Sequence, residues 1–591
     1  MKRIYLLVLC LSSLLSFGQN EQIADNYFKQ GEFEKALLSY QDLYKNTPNS
    51  KFFFKIIETL QQLEQYDQAK ILLEDKLNNN ESPNTLIEMG YNYQLMDSLD
   101  IAEKYYNKAI IKIEEKPYYA YMVARQFEKH SLLDHAIKVY KKAMELNPKK
   151  NYNIQLAMIY GEQGKVEQMF AGYLNYIEQR PEFLNNGKRT FSEFISEDPT
   201  NQNNIFLKRL LLKKIQTNPN IYWYELLSWL FIQEHDYDKA FIQEKALYLR
   251  NPESLNRMFE LAITAMEEKS YESATEIFNY ILENSQDTSN QLQAHQFLLD
   301  IKIATATPKD YKSIQKEYLN LFNTYGTQQQ TLSLQLSYGH FLAFYLHQPE
   351  QASKFLKQTL KLDLSSFQEA SVKLKLGDIL VFQQRFNEAL IYYSQIQANL
   401  KNSTIAQQAR FKVAKTSYYK GDFDWAESQL KILKASTSQL IANDALDLKL
   451  LISDNKYEDS TQTALKLYAK ADLMAYQNKT DEAISLLNTI LKEHKGESIE
   501  DQALFKQAQL FEEKKQYDKA ISNYQNIIAY HSDDILADDA YFFLAELYST
   551  ILKQPEKAKP LYEKILFNHE DSIYFVEARK KYRKLRGDTI N

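Results

Sequence analysis

One short pattern recurs along almost the whole chain, and it constrains the fold more than any other feature of the sequence. In its first copy, Phe33-Glu34-Lys35-Ala36 is followed by Tyr40. The copies are spaced by 33, 33, 34 and 33 residues near the start, and by 37, 37, 37 and 38 residues in later runs. Their small residues are Ala36, Ala69, Ala102, Ala136, Met169, Ala240, Ala274, Ala352, Ala389, Ala426, Ala483, Ala520 and Ala558. Self-similarity at this period is typical of stacked supersecondary units that share one continuous core.

Composition indicates that these units are helical. The 591 residues include only 13 Gly and 12 Pro, too few turn-forming residues for a sheet protein with frequent tight turns. Aromatic residues make up 13% of the chain, which excludes a disordered polypeptide. The net charge of -6 does not favour a nucleic-acid partner, because such proteins usually carry a basic face.

The pattern resembles the tetratricopeptide repeat family, whose unit of about 34 residues folds into two antiparallel helices. Residues typical of the first helix precede the small residue, as Ala24 precedes Ala36 and Gly90 precedes Ala102. The resemblance covers most of the chain. It implies an all-α fold, namely a right-handed superhelical solenoid of antiparallel helix pairs.

The C-terminal units carry a second, narrower resemblance. Residues 500–505 and 532–548 are similar to repeats of bacterial envelope proteins, of the outer-membrane assembly lipoprotein and periplasmic division-coordinator types. The closing residues 578–588 look like the end of exported repeat proteins of the Bacteroidota. This resemblance implies a role in the cell envelope.

The residue types explain why such units stack. Small residues such as Gly90 and Ala102 allow the two helices of a unit to cross closely, where larger side chains would overpack by about 1–3 kcal/mol. Side chains four and seven residues after the small residue share one helical face, which we expect to be buried against the next unit. Prolines are expected to end the second helix. They are Pro48, Pro148, Pro181 and Pro252.

Three intervals depart from the period. The 71 residues that start at Met169 would hold two units, one of them degenerate, and the 78 residues that start at Ala274 would hold two longer units. The 57 residues that start at Ala426 fit no whole number of units. Within them the pattern predicts one long helix through Tyr457 to Ala471, where two arms of the array would meet.

We therefore predict five segments. They are a signal peptide at 1–18, an N-terminal array at 19–181, a middle and partly degenerate array at 182–434, an irregular helical junction at 435–477, and a C-terminal array with a closing helix at 478–591.

The N terminus is typical of a secretory signal peptide. Lys2 and Arg3 precede a mostly apolar stretch at residues 4–17, which is shorter than the roughly 20 residues that span a bilayer. Cleavage after Gly18 would leave Gln19 first. Cys10, the only cysteine, lies inside this segment; a lipid-attachment role is the alternative, but Leu9 stands where a small residue is normal. We predict export to the periplasm, with association at the outer membrane as a further option.

The first helices of stacked repeats line a concave wall, which is the default ligand surface of this architecture. Tyr and Arg are enriched in binding hot spots, and they occur on this predicted wall in the third and fourth units. The candidate partner-binding residues are Ile87, Tyr91, Gln94, Tyr118, Tyr121, Arg125 and Glu128. The alternative is that the tyrosines only pack on neighbouring repeats.

No residue pattern indicates catalysis. The nine histidines are scattered, and a packed or solvated role is the simpler interpretation. The aspartates around Asp533 and Asp539 lack the spacing and glycine of an EF-hand, so capping and dipole roles at a helix start account for them. Acidic residues such as Glu21 and Asp25 also argue against the carboxylate clamp that some tetratricopeptide repeat proteins use.

These observations favour a non-enzymatic periplasmic scaffold or adaptor that binds one or more proteins and needs no cofactor or metal. Neither a nucleic-acid partner nor a transmembrane anchor is expected. The first alternative is an accessory subunit of an envelope biogenesis or secretion complex, which would co-fractionate with membranes. The second is an enzyme with an unrecognised site, which would show a deep pocket of perturbed acids.

Overall fold

The computed structural model describes residues 20–252, 254–433, 438–457 and 461–588. The predicted signal peptide, Cys10 and Gln19 lie outside these ranges. All regular secondary structure in the described ranges is helical, which confirms the predicted all-α class. The chain divides into two compact units, Met1–Arg250 and Asn251–Asn591. The five segments proposed from the sequence remain predictions.

Unit 1 contains fourteen described α-helices, most of which pack against the next helix in the chain. They are α1 (20–29), α2 (Phe33–Asn46), α3 (Ser50–Gln62), α4 (Tyr66–Asn79), α5 (Pro83–Leu95), α6 (Leu99–Glu115), α7 (Ala120–Lys129), α8 (Leu133–Leu146), α9 (Asn153–Glu162), α10 (Val166–Gln179), α11 (Leu184–Ser192), α12 (Gln202–Thr217), α13 (Ile221–Gln233) and α14 (Tyr237–Arg250). Short 3-10 turns at Pro117–Tyr119 and Pro181–Phe183 precede α7 and α11.

Unit 2 continues the same arrangement of packed helices. They are α15 (Asn256–Glu267), α16 (Tyr271–Asn284), α17 (Thr288–Thr305), α18 (Tyr311–Tyr325), α19 (Leu332–Phe344), α20 (Pro349–Thr359), α21 (Ser366–Phe382), α22 (Phe386–Asn399), α23 (Thr404–Lys420), α24 (Phe423–Leu433), α25 (Gln439–Asn455), α26 (Thr463–Tyr476), α27 (Thr480–Glu493), α28 (Ile499–Glu513), α29 (Tyr517–Tyr530), α30 (Ala537–Glu546), α31 (Pro555–Asn568) and α32 (Phe575–Arg586). A 3-10 turn at Gln329–Thr331 precedes α19, and a π-helical turn at Leu547–Ile551 follows α30.

A left-handed residue closes the first helix of each hairpin that carries the sequence pattern. It stands five residues before each of the thirteen small residues of the sequence pattern. Backbone bonds of the Schellman type accompany it, as where Gln65 N donates to Leu60 O at 2.9 Å. The left-handed residues are Gly31, Glu64, Asp97, Ser131, Gly164, His235, Lys269, His347, Gln384, Gly421, Asn478, Lys515 and Lys553. Only three of them are glycine, so the turn has little sequence signature.

The small residues lie where the predicted close crossings occur. All thirteen are at most 2% exposed. Gly90 of α5 packs so tightly on α6 that an added Cβ would lie 2.5 Å from Tyr106 Cε1 and 3.0 Å from the Ala102 carbonyl oxygen. The predicted close approach of Gly90 and Ala102 is therefore confirmed, with Tyr106 as the side chain that fills the crossing.

A buried tyrosine four residues after the small residue ties the two helices of several hairpins together. The Tyr140 hydroxyl donates to Glu128 at 3.0 Å, and the Tyr393 hydroxyl donates to Asp378 at 2.7 Å. Both rings are fully buried, and each hydroxyl reaches an acidic residue of the preceding helix. A buried hydroxyl without such a partner would cost about 1–3 kcal/mol, so the acid is part of the hairpin's stability.

The prolines end the second helices as predicted. α2 ends at Asn46, α8 at Leu146, α10 at Gln179 and α14 at Arg250, in each case two residues before the proline.

The long intervals are also accounted for. The 71-residue interval holds two additional helices, α11 and α12; α11 packs on α10, and α12 packs on α10 and α13. The 78-residue interval holds two hairpins, α17–α18 and α19–α20. The 57-residue interval contains an extra helix, since α25 packs on α23 and α24 whereas α26 pairs with α27.

The long helix predicted through Tyr457 to Ala471 is wrong. α25 ends at Asn455 and α26 begins at Thr463. Lys456 leaves the helix with its side chain buried against α24, where its ammonium lies 2.5 Å from Glu427 Oε2. Gln462, directly before α26, has a left-handed φ of 55°. Residues 458–460 of the predicted helix lie outside the described ranges, and the described residues 456–457 and 461–462 on either side of them are not helical, whereas the hydrophobic pattern alone indicated a continuous helix.

Candidate partner-binding surfaces

The first helices of successive hairpins in unit 1 form a row with a concave side. α5 contacts both α3 and α7. Lys129 Nζ of α7 lies 3.2 Å from Glu58 Oε2 of α3 and so bridges over α5. Packed helices are about 8–10 Å apart, so α3 and α7 would be too distant for this bridge in a flat row. The face of α3, α5 and α7 that carries Glu58 and Lys129, here called the inner face, is therefore concave.

α7 presents the exposed part of the predicted site. Tyr121, Arg125 and Lys129 follow each other at intervals of four residues and therefore share one side of the helix. Tyr118 is 66% exposed and Tyr121 is 52% exposed. Arg125 pairs with Glu128 at 2.6 Å, and Glu128 also accepts the bond from buried Tyr140. Glu128 is thus mainly a structural residue, whereas Tyr118, Tyr121 and Arg125 are available to a partner.

α5 contributes less than the sequence predicted. Ile87 is fully buried in the core, so its assignment to the binding wall is wrong; it sits three residues before Gly90, on the side that packs against neighbouring helices. Gln94 accepts a hydrogen bond from Tyr106 at 2.9 Å and so supports the hairpin. Tyr91 stacks on His130, the residue directly after α7, with ring centroids 3.9 Å apart.

A buried polar cluster beside Tyr91 was not predicted as a unit. Glu88 of α5 is 1% exposed and accepts hydrogen bonds from Gln126 of α7 and from His130, which directly follows α7, the latter at 2.8 Å. These contacts link two successive first helices. His130 is therefore a packed histidine, which is one of the two roles that the sequence predicted for the histidines. The partners are 38 and 42 residues apart, so no local spacing in the sequence could have paired them.

The first-helix row of unit 2 is linked by a ladder of lysine–aspartate pairs. Lys412 of α23 lies 3.1 Å from Asp378 of α21, and Lys506 of α28 lies 3.0 Å from Asp472 of α26. Lys415 also binds Asp472, at 2.9 Å. The two lysines hold the pKa of Asp472 below its usual range, although burial acts in the opposite direction. These charges are satisfied within the unit and so do not by themselves form a ligand site.

The end of α26 lies against the same row. Tyr476 donates to the Asp378 carbonyl oxygen at 3.2 Å, and Asn478 donates to the Phe344 carbonyl oxygen at 3.1 Å. The Tyr476 ring also packs on the rings of Phe344 and Phe382, with centroids 5.5 and 6.4 Å away. The C-terminal ends of α19 and α21 are therefore covered by a later part of the same unit.

Several carboxyl groups of unit 2 have perturbed protonation. Burial raises the pKa of Asp300, Asp501 and Asp539 to about 6 in each case. Asp539 lies in the first turn of α30 and accepts a hydrogen bond from Tyr574 at 2.9 Å. This position agrees with the dipole role predicted for the aspartates at this helix start.

A cleft of about 680 Å³ lies between the N-terminal halves of α17 and α19. Its polar lining consists mainly of neutral amide and hydroxyl side chains, including Gln293, Gln296 and Gln330. The one carboxylate in its lining, Asp287, caps α17 through the Ser289 N–H. In the described ranges no group of three or more His, Cys, Asp or Glu residues could hold a metal ion. No described helix combines the length and apolar character needed to cross a bilayer.

Together, these hairpins in a shared register define a helical-repeat solenoid protein. Residues 22–50, which cover most of α1 and all of α2, match the family model described as tetratricopeptide repeat. Residues 502–534, which cover most of α28 and all of α29, match the same model. In these two stretches the chain is therefore similar to the tetratricopeptide repeat, as the sequence pattern predicted. No curated protein sequence is significantly similar to the chain.

Two solved structures align along nearly the whole chain. One is a structure of Naa15/Naa10 bound to HypK-THB, with 12% identity over 97% of this chain and 96% of that chain, and a TM-score of 0.29. The other is the APC/C hetero-tetramer Cut9-Hcn1, with 13% identity over 95% of each chain and a TM-score of 0.25. Because these TM-scores are low, the fold assignment depends on the helix pairing and the two matched stretches.

Proposed function

We propose that this protein is a non-enzymatic scaffold that binds partner proteins through the inner face of unit 1. The observation that carries the proposal is the exposure of Tyr121 and Arg125 on α7, and of Tyr118 in the turn directly before it, beside the concave row. Their neighbours Val123, Ala124 and Phe127 are fully buried and supply the packing of the helix. The exposed side chains are therefore not needed by the core, and their types are enriched at binding hot spots.

The shape of the inner face favours an extended segment or a single helix as the bound element. A concave row of helices surrounds a narrow ligand on several sides. Lys129 and Glu58 already neutralise each other on this face. Arg125 pairs with Glu128 but keeps a largely exposed side chain, so Tyr121 and Arg125 supply the contacts that remain available. Aromatic burial and one guanidinium would then provide most of the affinity.

The test is in-cell crosslinking, followed by affinity capture and mass spectrometry of the bound proteins. We expect one or two defined proteins with the wild type and reduced recovery with the double variant Tyr121→Ala/Arg125→Ala. Tyr530→Ala, at an 80% exposed tyrosine of α29, is the control and should capture normally. Equal recovery by all three proteins, at unchanged far-UV circular dichroism, would contradict the proposal.

We further infer that the protein acts in the periplasm, either free or as an accessory subunit of an envelope complex at the outer membrane. The basic start, the apolar stretch and the small residues before Gln19 support export. Mass spectrometry of the purified native protein should find Gln19 at the N terminus. An intact Met1 in cell extracts would contradict export. Co-fractionation with membranes would favour the accessory subunit over the free scaffold.

A further inference from the structure

The lysine–aspartate ladder of unit 2 follows a fixed register. The acid directly follows the small residue at which its helix crosses the second helix, as Asp378 follows Gly377 and Asp472 follows Ala471. The lysine stands two residues before the corresponding small residue of the next hairpin's first helix, as Lys412 precedes Ala414. Lys506 precedes Ala508 in the same way. Each pair therefore joins neighbouring first helices at equivalent positions.

One pair of this ladder lacks its acid. Lys375 stands two residues before Gly377 of α21 and therefore occupies the lysine position. The residue that follows Gly339 of α19, where the carboxylate should stand, is His340. Lys375 has no ion pair or hydrogen bond with any residue in the described part of the chain. The ladder is thus interrupted between α19 and α21 by a cation without a counter-ion.

The neighbouring groups do not compensate for the missing acid. Asp378 is already occupied, because it accepts the Tyr393 hydroxyl at 2.7 Å and lies 3.1 Å from Lys412. Burial is the main cause that lowers the pKa of Lys375, and the nearby charge of Lys412 lowers it further, against the attraction of Asp378. An ammonium whose charge is disfavoured in this way gains more from an added anion than a fully solvated one.

His340, like Lys375, lacks a bonding partner for a polar group. Its Nδ1 is buried and has no hydrogen-bond partner in the described part of the chain, and its ring stacks on Phe344 with centroids 4.4 Å apart. Burial and the charges of Lys375 and Lys412 lower the pKa of His340 to about 4, while Asp378 acts in the opposite direction. The imidazole is therefore neutral at pH 7 and does not repel an anion placed beside Lys375.

We propose that the gap between α19 and α21 binds the carboxylate of an aspartate or glutamate side chain from a partner protein, with the Lys375 ammonium as the group that pairs with it. The partner would complete the ladder in the place that Asp378 and Asp472 fill elsewhere. The inference rests on the proposed scaffold function and adds a second contact surface in unit 2, selective for acidic segments. It concerns an internal acidic side chain and not a chain terminus.

The test uses the full-length mature protein and two labelled peptides, hexaglutamate and hexaglutamine, both with amidated C termini. Fluorescence polarisation should detect binding of hexaglutamate only. Lys375→Met should weaken that binding about tenfold or more, since it removes the charged donor that pairs with the carboxylate. The control Lys470→Met removes an exposed lysine of α26 and should change the affinity less than about twofold.

His340→Asp gives the sharper result, because it supplies the missing carboxylate from within the chain. We expect this variant to melt at a higher temperature than the wild type and to lose hexaglutamate binding. Lys375→Met should also fold, since it removes an ammonium that has no counter-ion. Both variants should therefore keep or gain stability while they lose the ligand, which separates a binding defect from misfolding.

Three outcomes would overturn the inference. They are no binding of hexaglutamate by the wild type, equal binding of hexaglutamine, and undiminished binding by His340→Asp. Partner capture that depends on Tyr121 and Arg125 would persist in each of these cases if the scaffold proposal is correct. The two proposals therefore fail independently.

Discussion

Gly90 of α5 lies against the ring of Tyr106 of α6, so that a methyl group on Gly90 would sit 2.5 Å from Tyr106 Cε1. Tyr106 is 2% exposed and its hydroxyl is held by Gln94, so the ring has no free space into which to move. The contact shows why the repeat needs a small residue on both helices of a hairpin.

Gly90→Ala should therefore lower the free energy of unfolding by about 1–3 kcal/mol, despite the better helix propensity of alanine. Gly161→Ala is the matched control, because Gly161 also lies in a first helix but its added Cβ would meet only the flexible Met169 side chain, at 3.1 Å. Chemical unfolding followed by circular dichroism measures both. A control variant that is as unstable as Gly90→Ala would show that the ring contact is not the cause.

The left-handed hairpin turns predict a stabilising substitution. Glu64 is exposed and has a φ of 58°, a conformation that costs a non-glycine residue roughly 1 kcal/mol. Glu64→Gly should raise the unfolding free energy by up to about 1 kcal/mol. Gly31→Ala introduces the same strain where no atom lies within 4 Å of the new Cβ, and it should destabilise by a similar amount. Thermal unfolding of both variants checks the prediction, which would be contradicted by shifts of the same sign.

The buried carboxyl group of Asp501 predicts that the stability of the protein depends on pH. Burial raises the pKa of this carboxyl to about 6 in the folded protein, against about 3.9 in an unfolded chain. Its protonated form therefore contributes stability that is complete below about pH 4 and is lost as the pH rises through about 6. Asp501→Asn should stabilise the protein at pH 7–8 by an amount of the order of 2 kcal/mol, with little gain at pH 4.

Urea unfolding at pH 4, 6 and 8 measures this effect. Asp533→Asn replaces an exposed aspartate before the next hairpin and should change stability little at any of these values. A gain from Asp501→Asn that is equal at pH 4 and pH 8 would show that its carboxyl does not titrate in this range.

The burial of Ile87 predicts that its substitution lowers the stability of the protein and does not act through partner binding. Its side chain is fully buried, so Ile87→Ala should cost about 2–5 kcal/mol through lost burial and a cavity. Tyr121→Ala, at a half-exposed position, should have a stability close to that of the wild type. Thermal melts of both variants test the assignment. An Ile87→Ala variant with unchanged stability would contradict the assignment of Ile87 to the core and would support its predicted place on the binding surface.

Much of the fold could be predicted because the decisive residues recur. Ala36 and its counterparts marked thirteen of the second helices, and Pro48 and Pro148 marked where such helices end. The break after Asn455 escaped prediction because Lys456 turns away to reach Glu427, a contact made 29 residues back in the chain. A hydrophobic pattern carries no information about such a charge pair.

The candidate surface was predicted less well than the fold. Helical spacing correctly placed Tyr121 and Arg125 on one exposed side of α7. It could not show that Ile87 of α5 is buried, because the position of a residue within the repeat does not state how far its helix is rotated into the core. The Glu88–His130 contact and the gap at Lys375 depend on residues more than thirty positions apart. They become visible only when neighbouring first helices are placed side by side.

In each first helix, the residues that pack in the core differ from the residues that face the concave wall. This separation has an evolutionary consequence. On α7, Ala124 and Phe127 maintain the stack, whereas Tyr121 and Arg125 alternate with them and contribute little to it. Mutation can therefore change what one hairpin recognises without a compensating change in the next hairpin. A gene for such an array can acquire new interaction partners one repeat at a time, while the duplicated framework around it is kept by selection on folding alone.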